Sequence, residues 1–137
     1  MSSTFETILD AVAVELAQFD FKTVAKGWTF DQARALPACL VLPRAKERRP
    51  HSHFADIDHY CVALVIEMSE RNSAQLLADT LEMTEQIQSH FHHKIFDSVS
   101  GHIDTQAKIT HLSESGGNRV DYARPVIELA VEVVEEI

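Results

Sequence analysis

Tyr60-Cys61-Val62-Ala63-Leu64-Val65-Ile66-Glu67-Met68 is the stretch on which the fold turns. In an extended chain, successive side chains point to opposite faces. Tyr60, Val62, Leu64, Ile66 and Met68 therefore share one face, and Cys61, Ala63, Val65 and Glu67 share the other. Both sets are mainly apolar, which predicts a strand largely covered on both faces.

Toward the C-terminus, Asn72 or Ser73 is placed to cap a helix. Leu77, Leu81, Thr84, Ile87 and Phe91, widened by Leu76 and Thr80, recur at helical spacing. They predict a helix of about five turns at 3.6 residues each. Ile103, Thr105, Ala107 and Ile109 then alternate with Asp104, Gln106, Lys108 and Thr110, the pattern of a half-exposed strand. Ser113-Glu114-Ser115-Gly116-Gly117-Asn118 is a turn cluster whose glycines permit backbone geometry that other residues avoid. The last segment admits two readings. Ile127, Leu129, Val131 and Val133 alternate as a strand would, yet Val126, Leu129, Ala130, Val133, Val134 and Ile137 also fit a helix opened by Pro125. The density of β-branched residues and the preceding turn favour a strand paired with 103–111.

Toward the N-terminus, Arg44 to Asp58 is polar and reads as a loop. Ala38 to Leu42 is a five-residue apolar run between Pro37 and Pro43, the signature of a buried strand. Phe21 to Ala25 is a short strand closed by Lys26-Gly27. Trp28 to Leu36 has room for one helical turn, which Pro37 would end by disfavouring helical geometry at Leu36. The chain opens on a helix, in which Ser3 and Glu6 form a capping box and Phe5, Ile8, Leu9, Val12 and Leu16 line one face. Strand runs separated by helices predict an α+β fold. The expectation is one domain over 1–137: a mixed, mainly antiparallel sheet of four to five strands, with two main helices packed on one face.

Composition narrows the function. At 137 residues and 45% hydrophobic content the chain carries enough apolar surface for a real core. A net charge of -9 disfavours nucleic-acid binding, which draws affinity from Lys and Arg on phosphates, and docking on anionic lipid. No uncharged run approaches the ~20 apolar residues of a membrane span, and Met1 to Glu6 lacks the look of a secretory signal. Cys39 and Cys61 lie in apolar runs and read as buried free thiols of a reducing compartment; a staple between neighbouring strands is the alternative. The cytoplasm is the expected location.

Eight histidines raise metal chemistry. His51, His53 and His59, with Asp56 and Asp58, offer three imidazoles and two carboxylates that zinc or manganese accepts. Their spacing matches no helical HExxH or paired CxxC arrangement, so nothing fixes ligands on one face. A small metal-dependent enzyme using the His51–His59 loop is the alternative reading. His90, His92 and His93 end the long helix, where imidazolium is favoured by the helix's negative end. Neither Ser98 nor Ser100 sits in a G-x-S-x-G elbow. Ser115-Gly116-Gly117-Asn118 lacks a P-loop lysine, and Glu135 and Glu136 read as solvated carboxylates. The residues assemble no catalytic constellation and call for no cofactor.

Arg44, Lys46, Arg48 and Arg49 are four of the chain's twelve Lys and Arg residues, within six positions. One reading is a solubilising surface loop. The other is contact with an acidic surface on a neighbouring copy, for which Glu128, Glu132, Glu135 and Glu136 are available. Complementary patches on one chain produce head-to-tail contacts that close into rings when the rotation permits.

This layout resembles that of phage tail terminator and tail completion proteins, similar to the minor tail protein U of lambda-like phages. The likeness rests on the helix Phe5 to Leu16, the Leu36-Pro37-Ala38-Cys39-Leu40-Val41-Leu42 strand and the polar segment after it. It continues through the strand Tyr60 to Met68, the helix Ala74 to Phe91, the Gly116-Gly117 turn and the apolar run Tyr122 to Val134. The resemblance implies a structural virion assembly protein, not an enzyme. Such a subunit forms a homo-oligomeric ring, typically a hexamer, that ends the tail tube and joins it to the head–tail connector. Its partners would be further copies of itself, the tail tube protein and the connector protein. It would occupy the host cytoplasm during assembly and the virion tail afterwards. By position, the loop Arg44 to Arg49 and the turn Ser113 to Arg119 are the interface residues it suggests, and the charge reading adds Glu128 and Glu132 to them.

Overall fold

The computed structural model describes residues 3–27, 34–112 and 122–136. The Ser113–Asn118 turn, Arg119 and most of the Trp28–Leu36 stretch lie outside them. Helix α1 spans Thr4–Leu16, with Ser3 Oγ accepting from Glu6 N at 3.1 Å as its cap. Helix α2 spans Ser73–Phe91, capped by Asn72, whose Oδ1 accepts from Ala74 N and Gln75 N at 3.0 and 3.1 Å. The strands are β1 (Thr23–Lys26), β2 (Ala38–Pro50), β3 (Ala55–Ser69), β4 (His102–His111), β5 (Tyr122–Ala123) and β6 (Val126–Glu136).

They form one six-stranded sheet in the order β1-β2-β3-β6-β4, with β5 beside the end of β3. β1 runs parallel to β2, and the remaining pairs are antiparallel. The α+β expectation holds, as does the strand reading of the last segment. β6 lies between β3 and β4, where its backbone pairs on both sides and Ile127, Leu129, Val131 and Val133 are buried. A helix there would have left β4 without a partner and β3 open along one side.

Both helices pack on one face. Ile8, Val12 and Leu16 of α1 and Ile87 and Phe91 of α2 join Val62, Leu64, Ile66, Leu129 and Val131 in one core cluster. Leu40, Leu42, Ala63, Val65 and Val126 form a smaller cluster on the opposite face. On α2 the buried stripe is Leu76, Thr80, Thr84, Ile87 and Phe91, and Leu77 is exposed. Both phases have helical spacing. The one adopted lets Thr80 Oγ1 meet Met68 Sδ, while the Thr84 hydroxyl donates back to Thr80 O at 2.9 Å and so enters the core satisfied.

One expectation fails. Arg44 to Asp58 is not a loop: β2 continues to Pro50, β3 begins at Ala55, and only 51–54 turn. Charged side chains on both faces of Arg44–Pro50 conceal the alternation that marks a half-buried strand. The first short strand also sits slightly later, at Thr23–Lys26 instead of Phe21 to Ala25.

Candidate assembly interface

The extension of β2 and β3 forms an arm that β6 follows to its end, Ala55 pairing with Glu136 and Pro50 with Asp56. At its root, the register of β2 shifts between Pro43 and Ala45. A bulge adds a residue and re-aims the side chains beyond it. Before the shift Cys39 and Val41 face the helices; after it Lys46 and Arg48 take that side, opposite Tyr60 and Asp58.

Asp58 is completely buried. Arg48 grips its carboxylate bidentately, Nε at 2.7 Å and Nη2 at 2.9 Å, and also reaches Glu135 at 3.0 Å. Lys46 Nζ lies 3.8 Å from Asp58 and 5.1 Å from the Tyr60 ring centre. The Arg48 hydrogen bonds hold the Asp58 carboxyl below its usual range against the opposing effect of burial, and they raise the guanidinium above its own. On the other face Arg44 lies 3.8 Å from Glu128, Arg49 3.1 Å from Glu47, and His59 3.7 Å from Glu132. The basic and acidic stretches do meet, but within one chain, as neighbours across β3. Arg119 lies outside the described residues.

Along Leu42–Pro50, no strand among the described residues pairs with the outer edge of β2, since β1 stops at the Lys26–Val41 pair. The opposite sheet edge is covered. His93 N donates to Thr105 O at 2.7 Å, Gln88 Nε2 to Ala107 O at 3.1 Å, and Ala107 N to His92 Nδ1 at 3.3 Å. Such covering blunts an edge against further strand addition. Among the described residues, the arm is the side of the sheet left open. At its tip Phe54 is 78% exposed, between His53 and Ala55. A lone aromatic in a His-Ser-His turn was the available signal, and hydropathy reading passes over it because its neighbours are polar.

The histidine groups disperse. Alternation along β3 sends Asp56 and Asp58 to one face and His59 to the other, while His51 and His53 are exposed near the tip. Among the described residues, no group of three or more His, Cys, Asp or Glu side chains is placed to hold a metal ion. His90 bonds Glu15 at 2.8 Å, and His93 bonds Asp104 at 2.9 Å. Ser98 and Ser100 line an open cleft of about 860 Å³ beside His102. That ring serves the fold: Nδ1 accepts from Phe96 N at 2.8 Å, and Nε2 meets Asp104 O and Thr105 Oγ1 at 2.9 and 2.8 Å. With both nitrogens engaged it is no base for either serine.

Glu67, buried on the face away from the helices, accepts from Arg34 Nε and the Tyr122 hydroxyl. Burial pushes its carboxyl up, and these two bonds together with the charges of Arg34 and Arg124 outweigh it, leaving a net lowering. Burial, reinforced by Glu67, moves the Tyr122 phenol up to about 12. The cluster ties the segment before β2 and β5 to β3.

Among the described residues, no helix is long and apolar enough to cross a membrane. No family model matches the chain, and a search of curated proteins returns no match.

Proposed function

We propose that the chain is a structural assembly subunit of the tail terminator or tail completion type, a self-associating ring that ends a tail tube and joins it to the connector. The observation that carries this reading is the arm. Three strands, with half-exposed Arg48 holding the buried Asp58, extend a strand edge that no described strand pairs with, out from a sheet whose other edge is covered. A projecting strand already paired on its inner side suits binding to another protein surface: it has less conformational entropy to lose on docking than a loop, and the backbone groups of its outer edge can pair. Of the features on which the family resemblance rests, the two helices and the three apolar strands are present as α1, α2, β2, β3 and β6, while the polar segment after Leu42 is strand and not loop.

The mechanism is binding only. Faces of the ring match the tube on one side and the connector on the other, and polymerisation of the tube stops because the ring offers no further tube-like surface. Stable obligate interfaces bury more than about 2,000 Å² in total, so the free subunit should associate as its concentration rises. Size exclusion with light scattering, followed by electron microscopy of the peak, tests the reading. A closed oligomer of uniform size is the expected result, and a monomer throughout the soluble range would sink it.

A further inference from the structure

His102 opens β4, is buried, and has both ring nitrogens in use. The direction of each bond is set by its partners. Phe96 N donates to Nδ1 at 2.8 Å, so the proton of the neutral ring is on Nε2. Nε2 then donates to Asp104 O at 2.9 Å and to Thr105 Oγ1 at 2.8 Å. The Thr105 hydroxyl in turn donates to Lys94 O at 2.6 Å. One neutral imidazole thus ties Phe96, and through Thr105 also Lys94, to β4.

The segment it holds has defined ends. His93, at φ 65°, donates its N–H to Thr105 O at 2.7 Å, and Gly101, at φ +80°, accepts from Val134 N at 2.9 Å. Between them Phe96 and Val99 turn into the core. The Phe96 ring lies 5.1 Å from the His102 ring and 6.3 Å from Phe91. The His102 N–H adds a longer bond to Val99 O, at 3.3 Å.

A second proton on the ring goes to Nδ1, where it meets the Phe96 N–H. Two donors then face each other, and the bond is lost. Burial disfavours the imidazolium and lowers the His102 pKa, although the carbonyl and carboxylate of Asp104 favour the charge. The surrounding charges have other partners. Asp104 of β4 bonds His93 Nδ1 at 2.9 Å, and Lys94 lies 3.5 Å from Glu15 of α1. Asp97 lines the groove against α1. On β6, Glu132 sits across from Asp104 and 3.7 Å from His59, while Glu135 lines the cleft beside the ring and bonds Arg48 at 3.0 Å.

We infer that His102 is an acid-sensitive latch: a second proton on its ring releases the segment from Lys94 to Ser100 and uncovers Phe96 and Val99 while the sheet stays folded. The latch is independent of the assembly reading above.

Amide exchange, corrected at each pH for the exchange of free peptide, tests it. The Phe96 and Val99 amides should lose protection below pH 6.5, by up to about tenfold per pH unit, while amides of β6 keep theirs. NMR of the wild-type ring should show the neutral tautomer protonated on Nε2 and a titration that coincides with the loss. His102→Asn leaves an acceptor near the place of Nδ1 and nothing to titrate, so protection at Phe96 should no longer depend on pH. His93→Gln removes the neighbouring histidine and should leave the loss in place. Constant wild-type protection between about pH 7 and 5, or a neutral ring protonated on Nδ1, would overturn the latch. So would a loss that survives His102→Asn or vanishes in His93→Gln, or one shared equally by β6, which would be global unfolding. The wild-type exchange and tautomer decide the matter even where a variant fails to fold.

Discussion

Arg48 holds the carboxylate of Asp58 with two hydrogen bonds, 2.7 and 2.9 Å long, out along the arm beyond the bulge at its root. The two partners differ in exposure: the Asp58 side chain is completely buried, and half of the Arg48 side chain is in water. Loss of either partner therefore has unequal consequences, because a solvated cation can turn to water and a buried anion cannot.

Arg48→Ala should destabilise the protein more than Asp58→Asn, as it leaves a buried carboxylate with Lys46 as its remaining cation. The depressed Asp58 carboxyl contributes stability that is complete above its unfolded pKa, near 3.9, and is lost as pH falls through the folded value. In Arg48→Ala the acid limb should move to higher pH. Urea titrations between neutral pH and pH ~3 would show this; equal destabilisation by both substitutions would contradict the asymmetry.

His102 should give a second, milder acid dependence. Burial lowers its pKa below 6.5, so the folded protein holds it neutral where the unfolded chain takes up a proton. Its contribution is intact above the unfolded value and declines as pH falls through 6.5 toward the folded one. His102→Asn should lower stability at neutral pH and flatten this limb in melting curves. An unchanged slope in the variant would remove His102 as its source.

Leu129→Ala removes a fully buried side chain from β6, which pairs on both sides, and should cost about 2–5 kcal/mol in urea unfolding. Val14→Ala, on the exposed side of α1, should stay within about 0.5 kcal/mol of wild type. A large effect at Val14 would mean that it supports the fold and does not serve as free surface.

Gly101 has φ +80°, and a Cβ there would lie 2.5 Å from Val134 O. The neighbour is backbone, and it is held in place because Val134 N donates to Gly101 O at 2.9 Å. Gly101→Ala should therefore lower stability by more than the ~1–2 kcal/mol of a left-handed conformation alone. A variant that melts with the wild type would show that the turn can relax.

Cys39 and Cys61 should resist oxidative pairing. Cys39 shares its sheet face with the helix-side core and Cys61 is on the opposite face, half-buried. Burial pushes both thiols above their ordinary pKa. Thiol titration of the native protein should be slow at Cys61 and absent at Cys39 until unfolding. Rapid labelling of both sites would contradict the packing.

Alternating or helical hydropathy in the chain determined the elements that bury one face. Tyr60–Met68, Ile103–Ile109 and Ile127–Val133 were legible as strands, and the two helices as helices, because burying one side of a periodic element demands apolar residues at its own period. The arm was not legible, since solvent reaches both its faces and its strands take their partners from the domain, so no apolar period is written into Arg44–Pro50. The tertiary structure alone decided that β6 inserts between β3 and β4, that the basic stretch meets Glu128 and Glu135 in its own chain, and which phase of α2 turns inward. These are choices among pairings of similar local energy, and what separates them is long-range packing and charge, which the order of residues does not display.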